Sequence, residues 1–278
     1  MDIIDGTPNM TDAFLNTRRA LVTGGTSGIG LAIAQALAKA GCQVTINGLG
    51  NPEQIAQALA GIQPCNGQTA RFIDADLRDA AAVERMMETF GAGNRLDILV
   101  NCAGMQIAKP IAEMPASDWD TIIAVNLSAA FHSMRLALPA MAEQGFGRVI
   151  NIASVHGLVA SANKAPYVAS KFGLVGLSKA AALEYASAGA RQSGGVTVNC
   201  ICPGWVETPL IEPQISARAT AAGGNREDGI RELLKEKQPS LRMSLPAEIA
   251  DTALWLCRRE AHNITGAAIP VDGAWTAQ

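Results

Sequence analysis

No run of basic residues in this 278-residue chain exceeds the doublets Arg18-Arg19 and Arg258-Arg259, and the formal net charge is -3. A general nucleic-acid binder needs a basic face or stripe, so that class is excluded. The opening stretch, MDIIDGTPNMTDAF, has no basic segment followed by an apolar block, so no signal peptide is expected. No uninterrupted apolar run reaches the roughly 18 residues of a membrane span, and no membrane partner is expected. The six cysteines, Cys42, Cys65, Cys102, Cys200, Cys202 and Cys257, form no C-x-x-C pair and no disulfide spacing. Cys200 and Cys202 alternate within a strand pattern and read as buried free thiols. No metal site is expected, and the cysteine usage fits the reducing cytoplasm. Repeats and low-complexity linkers are absent.

What is present suits a large core: 49% of residues are apolar and 17% charged, far from a disordered composition. After a polar leader over residues 1–17, RRALVTGG reads as a buried strand. It runs into TGGTSGIG (Thr23 to Gly30) and then into the helical pattern LAIAQALAKAG. Strand, Gly-rich turn and helix in that order form the context of a dinucleotide phosphate site, with the helix N–H groups aimed at a pyrophosphate. QVTING (43–48) is the second strand. Its end, Asn47-Gly48-Leu49-Gly50, offers neither an acid for a ribose 2′-hydroxyl nor a cation for a 2′-phosphate. We read this as NAD rather than NADP.

Further strands are expected at ARFIDADL (70–77, ended by Asp76), RLDILVNCAG (95–104), GRVINIAS (147–154), VTVNCICPG (196–204) and AAIPVDG (267–273). A helix over residues 117–144 carries Asn126 in its middle, which implies either solvent exposure or a polar task in the cleft. The alternation predicts one doubly wound α/β domain over 18–278 with a seven-stranded parallel sheet. Ligands of such sheets sit at the carboxyl ends of the strands. Residues 208–240 break the alternation with two short helices around Gly223-Gly224, a candidate substrate lid after strand six.

The segment NIASVHGLVASANKAPYVASKFGLVGLSK (151–179) carries the chemistry. Ser154 closes a strand. Tyr167 and Lys171 are spaced i, i+4 and share one helix face. A nearby ammonium favours a phenolate and lowers the Tyr pKa, which suits a general base or acid.

Taken together, TGGTSGIG, Asp76-Leu77, NCAG (101–104), Asn126, Ser154, Tyr167-x-x-x-Lys171 and Pro203-Gly204 resemble the short-chain dehydrogenase/reductase family from residue 18 onward. The resemblance implies a Rossmann fold, a nicotinamide cofactor and a homotetramer. It implies a catalytic set of Asn126, Ser154, Tyr167 and Lys171. On the cofactor side it implies Gly24, Thr26, Ser27, Gly28, Ile29, Gly30, Asn47, Leu49, Asp76, Leu77, Asn101, Ala103, Gly104, Lys171, Pro203, Gly204, Val206 and Thr208. Thr208 is also a candidate N-cap of the lid helix. Cys102 departs from the usual second Asn of that motif, Leu49 stands where a Phe is expected, and 187–195 is longer than the usual link.

NGLG, Gly104-Met105-Gln106, CPGWVETPL, QIS, EKQPS and the terminal DGAWTAQ further resemble NAD-dependent members that act on a small 3-hydroxy or 3-keto carboxylate. In those members the positions of Gln106, His156, Lys164, Trp205 and Gln214 form a carboxylate and methyl pocket. His156 lies two residues past Ser154, on the same side of an extended segment. Lys164 lies near the start of the Tyr/Lys helix, whose dipole favours an anion.

Overall fold

The computed structural model describes residues 15–63, 69–90 and 95–277. Cys65, Gln278 and residues 1–14 of the leader lie outside the described residues. The sheet runs in the order β3-β2-β1-β4-β5-β6-β7, every pair parallel. The strands are β1 Arg19–Thr23, β2 Gln43–Ile46, β3 Arg71–Phe72, β4 Ile98–Asn101, β5 Phe146–Ile152, β6 Gly195–Pro203 and β7 Ala268–Val271.

Side-chain alternation sends each strand's residues to two separate cores. Ala20, Val22, Ile98, Val100, Ile150 and Ile152 pack with α1 (Gly28–Lys39) and α9 (Pro246–Cys257). Leu21, Leu99 and Val149 pack on the other face with α3 (Ala80–Glu88), α5 (Ala129–Glu143) and α6 (Ala165–Tyr185). Helix α2 (Pro52–Gly61) starts with a full capping box, in which Asn51 and Gln54 bond reciprocally. The chain reverses its winding between β1 and β4, which opens the crevice at the strands' carboxyl ends.

Two expectations need correction. Strand β3 has two residues instead of the eight of ARFIDADL. The Asn47 side-chain amide, at the end of β2, donates to the Ile73 and Ala75 carbonyls at 3.1 and 3.0 Å. Those carbonyls are thereby taken out of a ladder. The expected helix over 117–144 is α4 (Ala116–Ile123) and α5, separated by a π-turn over Ala124–Ser128. The wider turn leaves Asn126 only 2% exposed, which removes the solvent-exposure reading. The continuous stretch Ala116–Glu143 also contains an 18-residue window of mean hydropathy 1.3. By length and composition it passes for a membrane helix, but 44% of that window is buried within the fold.

Residues 208–240 carry the two expected short helices, α7 (Glu212–Ala221) and α8 (Arg226–Lys237), after a short 3₁₀ turn over Pro209–Ile211. Ile211, Ile215, Leu233 and Leu234 build a small core of their own with Val155, Trp205 and Trp275. The 187–195 segment lies at the amino ends of the strands, where Arg148 donates to the Gly194 and Gly195 carbonyls.

Candidate active site

The Gly-rich turn is built by close backbone approach. A Cβ on Gly30 would lie 2.2 Å from the Gly24 carbonyl oxygen, so only glycine lets α1 start there. Gly28 adopts φ +53, and a Cβ there would meet the Thr208 methyl at 3.3 Å. Thr23 joins this turn to the end of β4, because its Oγ1 accepts from the Cys102 and Ala103 N–H groups at 3.1 and 3.2 Å. The Thr26 hydroxyl donates to the Leu49 carbonyl at 2.7 Å. Ser27, at the N-cap of α1, makes no side-chain cap bond. The first turn of α1 therefore keeps N–H groups for an anion.

One cavity of about 650 Å³ extends from this turn to the 3₁₀ turn over Pro209–Ile211. Every cofactor-side residue named above except Asn101 lines it. The Asn101 side chain points into the protein instead. It donates to Asn151 at 2.8 Å, accepts from Ser133 at 2.8 Å, and Asn151 goes on to donate to Ser178 at 2.7 Å. Asn101 thus belongs to a buried polar chain that ties β4, β5, α5 and α6 together. Thr208 lines the cavity but makes no side-chain cap bond, so the capping expectation falls away.

Where the sequence offers no cation for a 2′-phosphate, the structure brings one from further along. Arg78 lines the same end of the cavity. Its guanidinium is already forked onto Asp76, with Nε and Nη2 donating at 2.6 to 3.0 Å. The hydrogen bonds from Arg78 hold the Asp76 carboxyl down at about 2. The cation at this end is thus paired with Asp76, both side chains staying well exposed, at 64% and 49%.

At the other end, Ser154, Tyr167 and Lys171 meet at the cavity floor. Tyr167 and Lys171 sit on one face of α6, and both are buried. Lys171 Nζ donates to the Ile152 carbonyl at 2.8 Å and lies 5.6 Å from the Tyr167 ring centroid. Burial lowers the Lys171 ammonium to about 8. Burial also raises the Tyr167 phenol, partly offset by a side-chain hydrogen bond with Ser154. The expected lowering of the tyrosine by lysine alone is thus overridden by desolvation.

Asn126 faces the same place through the backbone. Its Oδ1 accepts from Met105 N–H at 2.9 Å, and its Nδ2 donates to the Met105 carbonyl at 3.0 Å and to Ser170 at 3.2 Å. Gly104, next to Met105, lies between Asn126 and Lys171. A Cβ there would be 3.6 Å from both Asn126 Oδ1 and Lys171 Nζ.

His156 reaches the cavity by a different path from the expected extended segment. Only Ser154 is extended; Val155–Gly157 is a 3₁₀ turn, with the His156 N–H donating to Ser154 Oγ at 3.1 Å. Burial first, then the Lys164 charge, pushes His156 down to about 4, so it is neutral at pH 7. Its Nδ1 meets the Val159 carbonyl at 3.3 Å. A carbonyl only accepts, so Nδ1 carries the ring proton. Lys164 is the N-cap residue of α6. Its ammonium donates to Gln214 on α7 at 3.2 Å and lies 5.1 Å from the Trp205 ring. Gln106 lines the cavity too. Gln214 itself stands behind Lys164 rather than on the cavity wall.

Sequence reasoning missed Arg78 and Trp275. Trp275 brings the C-terminal segment into the cavity and packs on His156 (5.6 Å between centroids) and Trp205 (5.4 Å). The signal was an aromatic residue inside DGAWTAQ, a segment singled out without a role. Among the described residues no cluster of three His, Cys, Asp or Glu could hold a metal. The turn, the unbonded start of α1 and the strand-end floor fit a dinucleotide; Tyr167 and Lys171 fit its nicotinamide end.

Comparison with known proteins agrees with this geometry. The family described as short chain dehydrogenase matches residues 18–219. A D-beta-hydroxybutyrate dehydrogenase of Cupriavidus necator is 47% identical over 272 residues, covering 95% of this chain and 100% of the relative. One of Rhizobium meliloti is 45% identical over 266 residues, covering 94% and 100%. A solved structure of a putative NAD(P) dependent gluconate 5-dehydrogenase from Beutenbergia cavernae, with bound NADP, is 32% identical with a TM-score of 0.82, covering 95% of this chain and 98% of its own.

Proposed function

The chain belongs to the short-chain dehydrogenase family, and on that premise we propose that it is an NAD-dependent oxidoreductase interconverting (R)-3-hydroxybutyrate and acetoacetate. The observation that carries the reading is the cavity's second end. Lys164 stands beside Gln214 under the lid, a few residues from the Ser154/Tyr167 floor. A small carboxylate therefore meets a cation and the Gln106 amide while its alcohol meets a phenol and a hydroxyl. The two hydroxybutyrate dehydrogenases similar over nearly the whole chain support the same substrate.

The oxidised nicotinamide supplies the hydride acceptor and a positive charge that favours the phenolate. Gly24–Gly30 and the start of α1 would hold its pyrophosphate, and Asp76 and Leu77 would line its adenine end. Thr208, Pro203 and Gly204 line the nicotinamide end. Tyr167 takes the hydroxyl proton of the substrate. Ser154 orients the oxygen. Lys171 would hold the ribose, and its charge favours the phenolate. Asn126 fixes the Met105 backbone beside Lys171 and supports a proton path to it. Lys164, Gln106 and His156 hold the carboxylate, and Gln214 aims the Lys164 ammonium. Trp205 and Trp275 bound the methyl group. Residues 208–240 act as the lid, and 18–278 form one catalytic domain.

NAD rather than NADP is supported by the absence of a free cation at the adenosine end among the described residues, Arg78 being forked onto Asp76. Exposed apolar side chains on α5 and α6, Phe131, Leu136, Phe172 and Leu183, support a homotetramer. The free thiols Cys42, Cys102, Cys200, Cys202 and Cys257 support a reducing, cytoplasmic setting. The test is NADH formation by purified protein with (R)- against (S)-3-hydroxybutyrate. Turnover of the R form is expected; silence with both, while NAD still binds, would discard the substrate.

A further inference from the structure

The segment EKQPS has so far had no task, yet its glutamine sits at a three-way junction. Gln238 ends α8 and is 1% exposed. Its Oε1 accepts from the Trp205 N–H at 3.0 Å, and its Nε2 donates to the Arg242 carbonyl. Two residues on, the Ser240 N–H donates to the Gly273 carbonyl at 3.0 Å, on the turn that carries Trp275. The packing at this point leaves no slack. A Cβ on Gly204 would lie 2.7 Å from Gln238 Oε1, and one on Gly273 would lie 2.8 Å from Gln238 Cγ.

The Trp205 indole has no such anchor of its own. Its Nε1 is buried without a hydrogen-bond partner. The ring is held by apolar packing with Val155, Ile211, Ile215, Leu233 and Leu234, by Trp275 at 5.4 Å and by the Lys164 ammonium at 5.1 Å. Its backbone is held on both sides, by Gln238 at the N–H and by the Ser244 N–H at the carbonyl, 2.9 Å away. On the Trp275 side, Asp272 accepts from the Ala274 and Thr276 N–H groups at 3.0 and 2.9 Å. The ring pair therefore takes its position from polar anchors outside the cavity. Gln238 is the side chain shared between the foot of the lid and the Trp205 backbone.

We propose that Gln238 is a positioning residue that sets the Trp205–Trp275 wall and through it the chain length of acid the cavity accepts. The proposal rests on the reading of the substrate as a short 3-hydroxy acid. Gln238 does not line the cavity, so it acts through the Trp205–Trp275 wall.

Gln238→Ala removes an acceptor and a donor from buried partners. Loss of one such buried bond is worth about tenfold in a binding constant. The KM for (R)-3-hydroxybutyrate should rise about tenfold while kcat stays within about threefold. The KM for (R)-3-hydroxypentanoate should change far less, so the preference for four carbons over five falls about tenfold. NAD affinity should not move. Gln238→Glu gives a second arm that keeps the shape. Protonated, it accepts from Trp205 and donates to Arg242 as glutamine does; ionised, it faces the Arg242 carbonyl with no proton to give. Its selectivity should match the wild type at low pH and fall as pH rises. A folded Gln238→Ala with unchanged selectivity would overturn the proposal, as would a pH-independent Gln238→Glu profile. The near-UV circular dichroism of the Trp205–Trp275 pair, read with Trp119 and Trp255 replaced by Phe, gives a readout free of turnover. If the protein oxidises neither acid, the substrate reading fails. The positioning claim still stands or falls on whether Gln238→Ala alters that ring-pair signal.

Discussion

Replacing Lys164 by Ala removes the only charged partner assigned to the substrate carboxylate. Two unit charges about 4 Å apart attract by about 4 kcal/mol at the effective dielectric near a protein surface. Lys164 is half-buried, and burial already lowers its ammonium pKa, a sign that holding the charge there has a cost. Desolvation and side-chain ordering offset much of the attraction, and a hydrogen bond to a charged group is worth about 1.5–3 kcal/mol net. About 2 kcal/mol corresponds to a KM raised about thirtyfold. The carboxylate is remote from the reacting carbon, so the contact is alike in ground and transition states and kcat should change less than about threefold. Gln214→Ala, which takes away the bond that aims the ammonium, should raise KM by a smaller factor. The assay is initial-rate kinetics at saturating NAD, at two ionic strengths. A KM within twofold of the wild type would remove Lys164 as the anchor, and a collapse of kcat at constant KM would give it a different role.

Tyr167→Phe should reduce kcat at least a hundredfold while NAD binding, followed by fluorescence titration, stays nearly intact; substantial residual turnover would remove Tyr167 as the main base. Asn126→Ala leaves the Met105 N–H and carbonyl unpaired beside Lys171, a loss of about 1–3 kcal/mol by thermal or denaturant unfolding, with a fall in kcat larger than any change in KM. His156 carries a pKa of about 4 in the fold against an ordinary 6.5. The unfolded chain binds more protons across that window, so stability rises with pH from about 4 to 6.5. The contribution is present above 6.5 and lost as pH falls through 4, at most about 3 kcal/mol. Tm against pH should lose part of its acid slope in His156→Gln; an unchanged slope would contradict a buried neutral histidine.

The fold could be read from the chain because its signals are local. Each strand is a short apolar run, the phosphate turn is contiguous, and Tyr167 and Lys171 are one helical turn apart. What escaped reading depends on contacts between distant segments. Strand β3 stops at Phe72 because Asn47, just past β2, takes the Ile73 and Ala75 carbonyls that would continue it. Asn101 looks like a cleft residue at a strand end, but its partners Ser133 and Asn151 come from α5 and β5 and draw it inward. The π-turn at Asn126 is an extra residue in a continuous helical pattern, and hydrophobic periodicity does not register it. Trp275 reaches the cavity only because the C-terminal turn folds back over β6. Arg78 was overlooked because a sequence reading looks for the 2′-phosphate cation at the end of β2, not after β3.

The most direct test of the account is NADH formation with (R)-3-hydroxybutyrate under NAD and, in parallel, NADPH formation under NADP. The account predicts rapid reduction of NAD with the R enantiomer, little with the S enantiomer, and much weaker use of NADP. Equal use of both cofactors would contradict the role given to the Arg78–Asp76 fork. No turnover of the R form by protein that binds NAD would contradict the substrate end of the cavity as described.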